Sequence, residues 1–228
     1  SKSFFNRQHV LVRELYKYDD WGNEIGHSFT NIEGKLISGP QGFAAVSMER
    51  DNERNLVEIK YYDELNDPTK NELGFHRQVI NYDEYGRVEK VNFYTKYGTP
   101  AYITAEGVEG ITSFSYGYDR TGNKVKLTFL DHKGSPTLTQ YGFSQIQLLF
   151  DGTGNQIEER YLDTQGHLAA VNDEFAILRY RYNRKGQQTE ISSFDATDEP
   201  IINYNGFHKV IFSFDEVGNG TGYEYYGL

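Results

Sequence analysis

The chain has 228 residues, 33 of them acidic and 23 basic for a net charge of −10, with one Met, one Trp and no Cys. That acidity argues against duplex nucleic acid or an anionic membrane surface as the main partner, because both reward clustered Lys and Arg. Without Cys there is no disulfide scaffold, thiolate zinc site or cysteine nucleophile, while the compartment stays open. Aromatic residues make up 15% of a chain that is only 37% hydrophobic, so much of its apolar surface has to be aromatic. There is no apolar run of about 18 residues, so no transmembrane segment is expected, and the opening SKSFFNRQHVLV lacks the pattern of a signal peptide.

The first structural signal along the chain is an aromatic-Asp pair with Gly three residues after the Asp. It occurs as Tyr18-Asp19 with Gly22, Tyr82-Asp83 with Gly86, Tyr118-Asp119 with Gly122, Phe150-Asp151 with Gly154 and Phe214-Asp215 with Gly218. Degenerate copies stand at Arg50-Asp51 and Tyr182-Asn183. Positions 19, 51, 83, 119, 151, 183 and 215 are separated by 32 residues, except for one interval of 36 that places four extra residues near Ala105–Glu109. Twelve residues after each of the first six comes Asn31, Asp63, Thr95, Asp131, Asp163 or Asp195, with Pro five further on in Pro68, Pro100, Pro136 and Pro200. A third landmark is Gly followed by an apolar residue, as in Gly42-Phe43, Gly74-Phe75, Gly110-Ile111, Gly142-Phe143 and Gly206-Phe207, replaced once by Glu174-Phe175.

Asp or Asn at the first turn position accepts hydrogen bonds from backbone N–H groups just beyond it, and Gly three residues later supplies the positive φ of a type I turn with a G1 bulge. Period-two alternation on both sides of each turn predicts half-buried strands. Ile146, Leu148 and Phe150 enter one turn on a single parity; Val57, Ile59 and Tyr61 leave another, with Glu58 and Lys60 on the opposite side. Each repeat therefore reads as a β-hairpin plus a short linking strand, unable to bury its apolar side alone.

The expected fold is all-β: an array of six 32-residue hairpin repeats forming a β-solenoid or an elongated twisted antiparallel sheet. One repeat domain over 1–228 would hold units 19–50, 51–82, 83–118, 119–150, 151–182 and 183–214, with partial capping units 1–18 and 215–228.

The pattern resembles the YD, or RHS-type, repeats of bacterial surface and toxin proteins, most closely at Tyr118-Asp119-Arg120-Thr121-Gly122-Asn123 and Phe150-Asp151-Gly152-Thr153-Gly154-Asn155. Phe129-Leu130-Asp131-His132-Lys133-Gly134-Ser135-Pro136 is also similar to the aromatic-Asp-x-x-Gly repeats of cell-wall- and glucan-binding proteins. The resemblance implies a secreted or cell-surface, extracytoplasmic bacterial location.

Most of the recurrent acids already have a duty in turns, and no carboxylate pair breaks the repeat as a catalytic pair would. His9, His27, His76, His132, His167 and His208 are scattered; His76 and His208 share a repeat position but stand four units apart. No zincin, nucleophile-elbow or phosphate-loop motif is present. A hard cation wants six or more oxygens, more than one turn offers. The chain is thus expected to be no enzyme and to need no cofactor or metal. Trp21, Tyr85 and Tyr97 stand at turn tips, where folding needs no large apolar surface; Tyr62, Tyr94 and Phe194 fall on the parity opposite the inward side. These six rings are the binding candidates. They suggest a non-enzymatic binding or adhesion module for a glycan or cell-wall polymer. The alternative is a protein-interaction scaffold or a structural shell segment of a larger surface or toxin protein.

Overall fold

The chain reversals follow from the backbone chemistry of the Asp and Gly positions. At each aromatic-Asp turn the first residue donates its N–H to the carbonyl four residues on and accepts from the residue three on, as in Asp119 to Asn123 at 3.0 Å and Gly122 to Asp119 at 3.2 Å. This closure demands a left-handed fourth residue. Gly122 has φ 93, while Arg54 at the same place in the second repeat is held at φ 71.

The computed structural model describes residues 2–5, 11–104 and 109–228. Of the stretch Ala105–Glu109, near which the four extra residues are expected, 105–108 lie outside the described residues. The strands are β1 (Lys2–Phe5), β2 (Leu11–Tyr18), β3 (Glu24–Thr30), β4 (Ala45–Arg50), β5 (Leu56–Tyr62), β6 (Arg77–Tyr82), β7 (Val88–Tyr94), β8 (Ser113–Tyr118), β9 (Lys124–Leu130), β10 (Gln145–Phe150), β11 (Gln156–Leu162), β12 (Ile177–Tyr182), β13 (Gln188–Phe194), β14 (Lys209–Phe214) and β15 (Gly220–Tyr226). Order in the sheet is order along the chain. Hairpin turns reverse direction at every step, so consecutive strands pair antiparallel and the array is an open meander sheet, the second of the two arrangements expected. The chain divides into two compact units, Ser1–Phe114 with Asp131–Gly134, and Ser115–Leu130 with Ser135–Leu228.

Three features go beyond the sequence pattern. First, the β2–β3, β4–β5, β6–β7, β10–β11, β12–β13 and β14–β15 hairpins each carry a β-bulge just past the turn. Glu49 pairs Glu58 while Arg50 pairs Leu56, leaving Val57 extra; Leu149 pairs Glu158 while Phe150 pairs Gln156, leaving Ile157 extra. The bulge breaks the strict alternation assumed for Val57 and Ile157, and Ile157 is 37% exposed. Second, the linking segment is no strand. It makes a single antiparallel bridge, such as Tyr62 with Pro68 or, without proline, Thr30 with Leu36 and Leu162 with Leu168, because the chain turns again a few residues on. Third, the Gly-Phe landmark closes that further turn, as Gly142 N–H donates to Thr139 O at 3.1 Å. Where Glu174 replaces Gly, Asn172 (φ 51) and Asp173 (φ 62) take the left-handed conformation instead, and the turn tightens into one 3-10 turn over Val171–Asp173.

The core lies on one side of the sheet, where linking segments fold back and deliver Phe rings onto the strands. In the first unit Phe29, Phe43, Tyr61, Phe75, Phe93 and Phe114 form an unbroken series with centroid separations of 4.6–5.7 Å. In the second, Phe129, Phe143, Tyr161 and Phe175 repeat it at 4.9–5.8 Å. Phe43 and Phe75 are each 2% exposed.

Two substitution pairs test this account by urea unfolding. Gly154 has φ 88 and Gly152 does not adopt a positive φ, and both have open space around a Cβ. Gly154→Ala should therefore cost about 1 kcal/mol from backbone strain alone, and Gly152→Ala should be neutral or stabilise by about 0.5 kcal/mol. Phe143→Ala, at a site 6% exposed, should cost about 3–5 kcal/mol. Trp21→Ala, which loses an exposed ring and its contact with Arg54, should cost no more than about 1 kcal/mol.

Candidate interaction surface

The Asp of each aromatic-Asp turn, and Asp51 at the degenerate one, accepts through both carboxylate oxygens. Asp119 Oδ1 accepts from Thr121 N, Thr121 Oγ and Asn123 N at 2.8–2.9 Å, and its Oδ2 from Asn123 Nδ2 at 2.9 Å. Asp151 repeats the pattern with Thr153 and Asn155 at 2.7–3.0 Å. Asp19 is held by Trp21 N and by both nitrogens of Asn23. Asp83 is held by Tyr85 N, Arg87 N and the Arg87 guanidinium, and Asp215 by Gly218 N and both nitrogens of Asn219. Donation from the Thr121 hydroxyl, followed by Asn123, draws the Asp119 carboxyl down to about 2, and the Asp151 carboxyl is lowered by the same pair of donors. These oxygens are committed to the turn. Among the described residues, no three His, Asp or Glu side chains are placed to hold a metal ion.

The turn-tip rings stand in solvent: Trp21 is 68% exposed, Tyr85 73% and Tyr97 81%. Trp21 and Tyr85 belong to turns at the same end of the strands, but four strands separate them, roughly 19 Å at the usual spacing. Tyr97 lies in a turn between a leaving and an entering strand, hence at the opposite end. Each ring also carries a cation over one face: Arg54 at 5.2 Å from Trp21, Arg87 at 4.8 Å from Tyr85 and Lys96 at 5.5 Å from Tyr97. The three are not brought together.

Tyr62, Tyr94 and Phe194 end leaving strands on the charged side of the sheet and are half-buried. Their backbones bridge the linking segment, and their rings meet side chains in or just before the next strand. Arg77 stacks on Tyr94 at 4.6 Å, Arg179 on Phe194 at 4.3 Å, and His76 meets Tyr62 edge-on at 5.9 Å. The same cations pair across strands, Arg77 with Glu58 at 3.2 Å, and Arg179 with Glu158 at 2.7 Å and Asp198 at 2.8 Å. Lys60 joins Glu58 and lies 3.1 Å from Glu49, and Arg160 joins Glu158. These rings anchor a cation–carboxylate layer within each unit.

Sequence reading passed over three groups. Glu159 stands among the inward rings, accepting from Tyr161 Oη at 2.6 Å, Tyr180 Oη at 3.1 Å and Gln156 Nε2 at 3.2 Å. Burial, then the Glu159 carboxylate, pushes both phenols up, so they stay protonated as donors. The tyrosine of the aromatic-Asp pair reaches the preceding hairpin: Tyr82 Oη donates to Leu56 O and Tyr182 Oη to Gln156 O, both at 2.9 Å. Arg50, the degenerate copy, uses its guanidinium on the equivalent Glu24 O at 3.3 Å. His76 and His208 each present Nδ1 at 2.8 Å to a carbonyl, Tyr61 O and Ser193 O. A carbonyl only accepts, so Nδ1 carries the proton in both.

Because the carboxyls of Asp19, Asp51, Asp83, Asp119, Asp151 and Asp215 titrate lower folded than unfolded, their contribution is present above the unfolded value and lost as pH falls through the folded one. The urea midpoint should therefore decline from about pH 4 to about 2. Asn31 and Asn183 already make the same backbone contacts through an amide oxygen. A double variant Asp119→Asn with Asp151→Asn should accordingly flatten the decline; an unchanged acid limb would show that other carboxyls govern it.

No family model matches the sequence, and no curated protein matches it. Among solved structures the fold is similar to part of the crystal structure of TcdB2-TccC3-TEV, with a TM-score of 0.55 and 11% identity over 95% of this chain and 9% of that one. A Tc holotoxin pore structure from Photorhabdus luminescens aligns over 96% of this chain and 12% of that one at 13% identity, with a TM-score of 0.38. The chain spans about a tenth of the length of these structures, and the first of them shares its all-β meander fold.

Proposed function

We propose that this chain is a structural shell segment of a larger extracytoplasmic bacterial protein, a surface or toxin protein built from YD/RHS-like repeats, and that it performs no catalysis. The observation that carries this reading is the fold likeness that covers 95% of this chain but 9% of a much longer one. The chemistry agrees with it. Several donors and acceptors are committed within the repeats: aromatic-Asp carboxylates to backbone N–H groups, Arg77 and Arg179 to cross-strand Glu58 and Glu158, and the Tyr161 and Tyr180 phenols to Glu159. Such a segment contributes a continuous wall, and its partners are protein segments packed along it.

A glycan platform would need rings sharing one side and one edge with free faces. Trp21, Tyr85 and Tyr97 lie at two ends of the strands, each with a cation over one face. The chain should show no saturable binding on a glycan array or in polysaccharide pull-downs, and cross-linking of the full-length protein should join this segment to other segments of the same polypeptide. Saturable capture of a polysaccharide that is lost in Trp21→Ala and Tyr85→Ala would overturn the shell reading.

A further inference from the structure

One recess carries a charge opposite to that of the chain. Pro68, Thr69 and Lys70 of a linking segment, Gly74 and His76 around the turn that follows it, and Thr95 and Lys96 of the turn after β7 line a volume of about 330 Å³. All seven lie in the first compact unit. Neither Asp nor Glu is among them, and neither lysine is paired with a carboxylate among the described residues. That is unusual in a chain with a net charge of −10.

The same places in the adjoining repeats show what this recess lacks. One repeat earlier, Ser38 stands in place of Lys70 and Glu64 in place of Lys96, and the Glu64 carboxylate accepts from Ser38 N–H at 2.9 Å. One repeat later, Tyr102 and His132 hold those places and meet through Oη and Nδ1 at 3.3 Å. Here the pair is two lysines, which repel, and Thr95 replaces the turn carboxylate of Asp63. The buried member is His76, 8% exposed. Its Nδ1–H is committed to Tyr61 O at 2.8 Å and Thr69 O at 3.2 Å, so Nε2 of the neutral ring carries a lone pair. Among the described residues Nε2 takes no hydrogen bond. His208 makes the same Nδ1 contact with Ile202 in place of Lys70; the backbone duty of the histidine needs no lysine beside it.

We propose that this recess binds a carboxylate with an O–H or N–H donor beside it. The two ammonium groups take the carboxylate, the group that Glu64 supplies from within the chain one repeat earlier, and His76 Nε2 accepts from the donor. Lysine offers donors alone and a neutral imidazole Nε2 an acceptor alone, so a bare carboxylate answers the lysines and leaves the ring unsatisfied. Two sources carry this chemistry: a free hydroxy acid, and the acidic side chain of a peptide with its own backbone N–H. The proposal goes beyond the shell reading and does not rest on it.

The test titrates the full chain with malate, with succinate, which lacks the hydroxyl, and with a capped Gly-Asp-Gly peptide, and follows the imidazole signals of His76 and His208 by NMR. Malate or the peptide should shift His76 saturably and leave His208 in place, and the tighter of the two identifies the source. Succinate should bind about tenfold more weakly than the tighter one. Lys70→Ser combined with Lys96→Glu copies a pair that the fold already holds one repeat earlier, and should weaken binding by about tenfold or more. Lys96→Ala, which introduces no carboxylate, should weaken it in the same direction. The proposal is overturned if neither malate nor the peptide shifts His76, if the shift survives both variants, or if succinate or inorganic phosphate binds as tightly as the better of the two.

Discussion

The structure depends on one recurring contact: a strand ring held between the Phe of the preceding repeat and the Phe of its own. Tyr61 between Phe43 and Phe75 is the clearest case. A two-stranded hairpin has no second layer and is marginal alone in water. Here the linking segment folds back as the missing layer, thin but sufficient, because a ring buries more area per residue than any aliphatic side chain and gains further from tilted and edge-to-face packing. Hence a chain that is 37% hydrophobic and 15% aromatic can build a core at all. The same contact couples each repeat to its neighbour, which makes stability a property of adjacent pairs.

The opposite side of the sheet solves a different problem. Long basic side chains lie flat across it, their stems covering strand backbone and their heads shared between carboxylates and rings, as Arg179 is shared among Glu158, Asp198 and Phe194. Exposed pairs of this sort contribute about 0–1 kcal/mol each, so they hold little of the fold together. What they do is set opposite charges against each other across neighbouring strands, which favours this register over a slipped one.

How much of this could be read from the residues differs by feature. The aromatic-Asp turns were legible because a left-handed fourth residue and an acceptor at the first position leave little choice of side chain. The bulges were not, since the extra residue is Ile25, Val57, Glu89, Ile157, Thr189 or Thr221, a set with no common side-chain chemistry. Exposure of Trp21, Tyr85 and Tyr97 followed from turn-tip placement; their separation followed only from counting strands between turns. Glu159 was hidden because one charged residue in an alternating run reads as noise until two phenols are found on it. Arg50 looked like a lapse in the repeat, yet it reaches the same kind of carbonyl that Tyr82 and Tyr182 reach. What the repeat preserves there is a long donor to the preceding hairpin, and the aromatic ring is one way to supply it.

That distinction between residue type and the bond it makes explains where exposure falls. Ser193 has no ring, yet it is 2% exposed, because its N–H and its hydroxyl are taken by His208 O, each at 3.0 Å. Phe29 and Phe93, which carry a ring at this position, are 5% and 6% exposed. Burial there follows the backbone bond to the residue after the third turn, which Phe29, Phe93 and Ser193 all make, and not the size of the side chain.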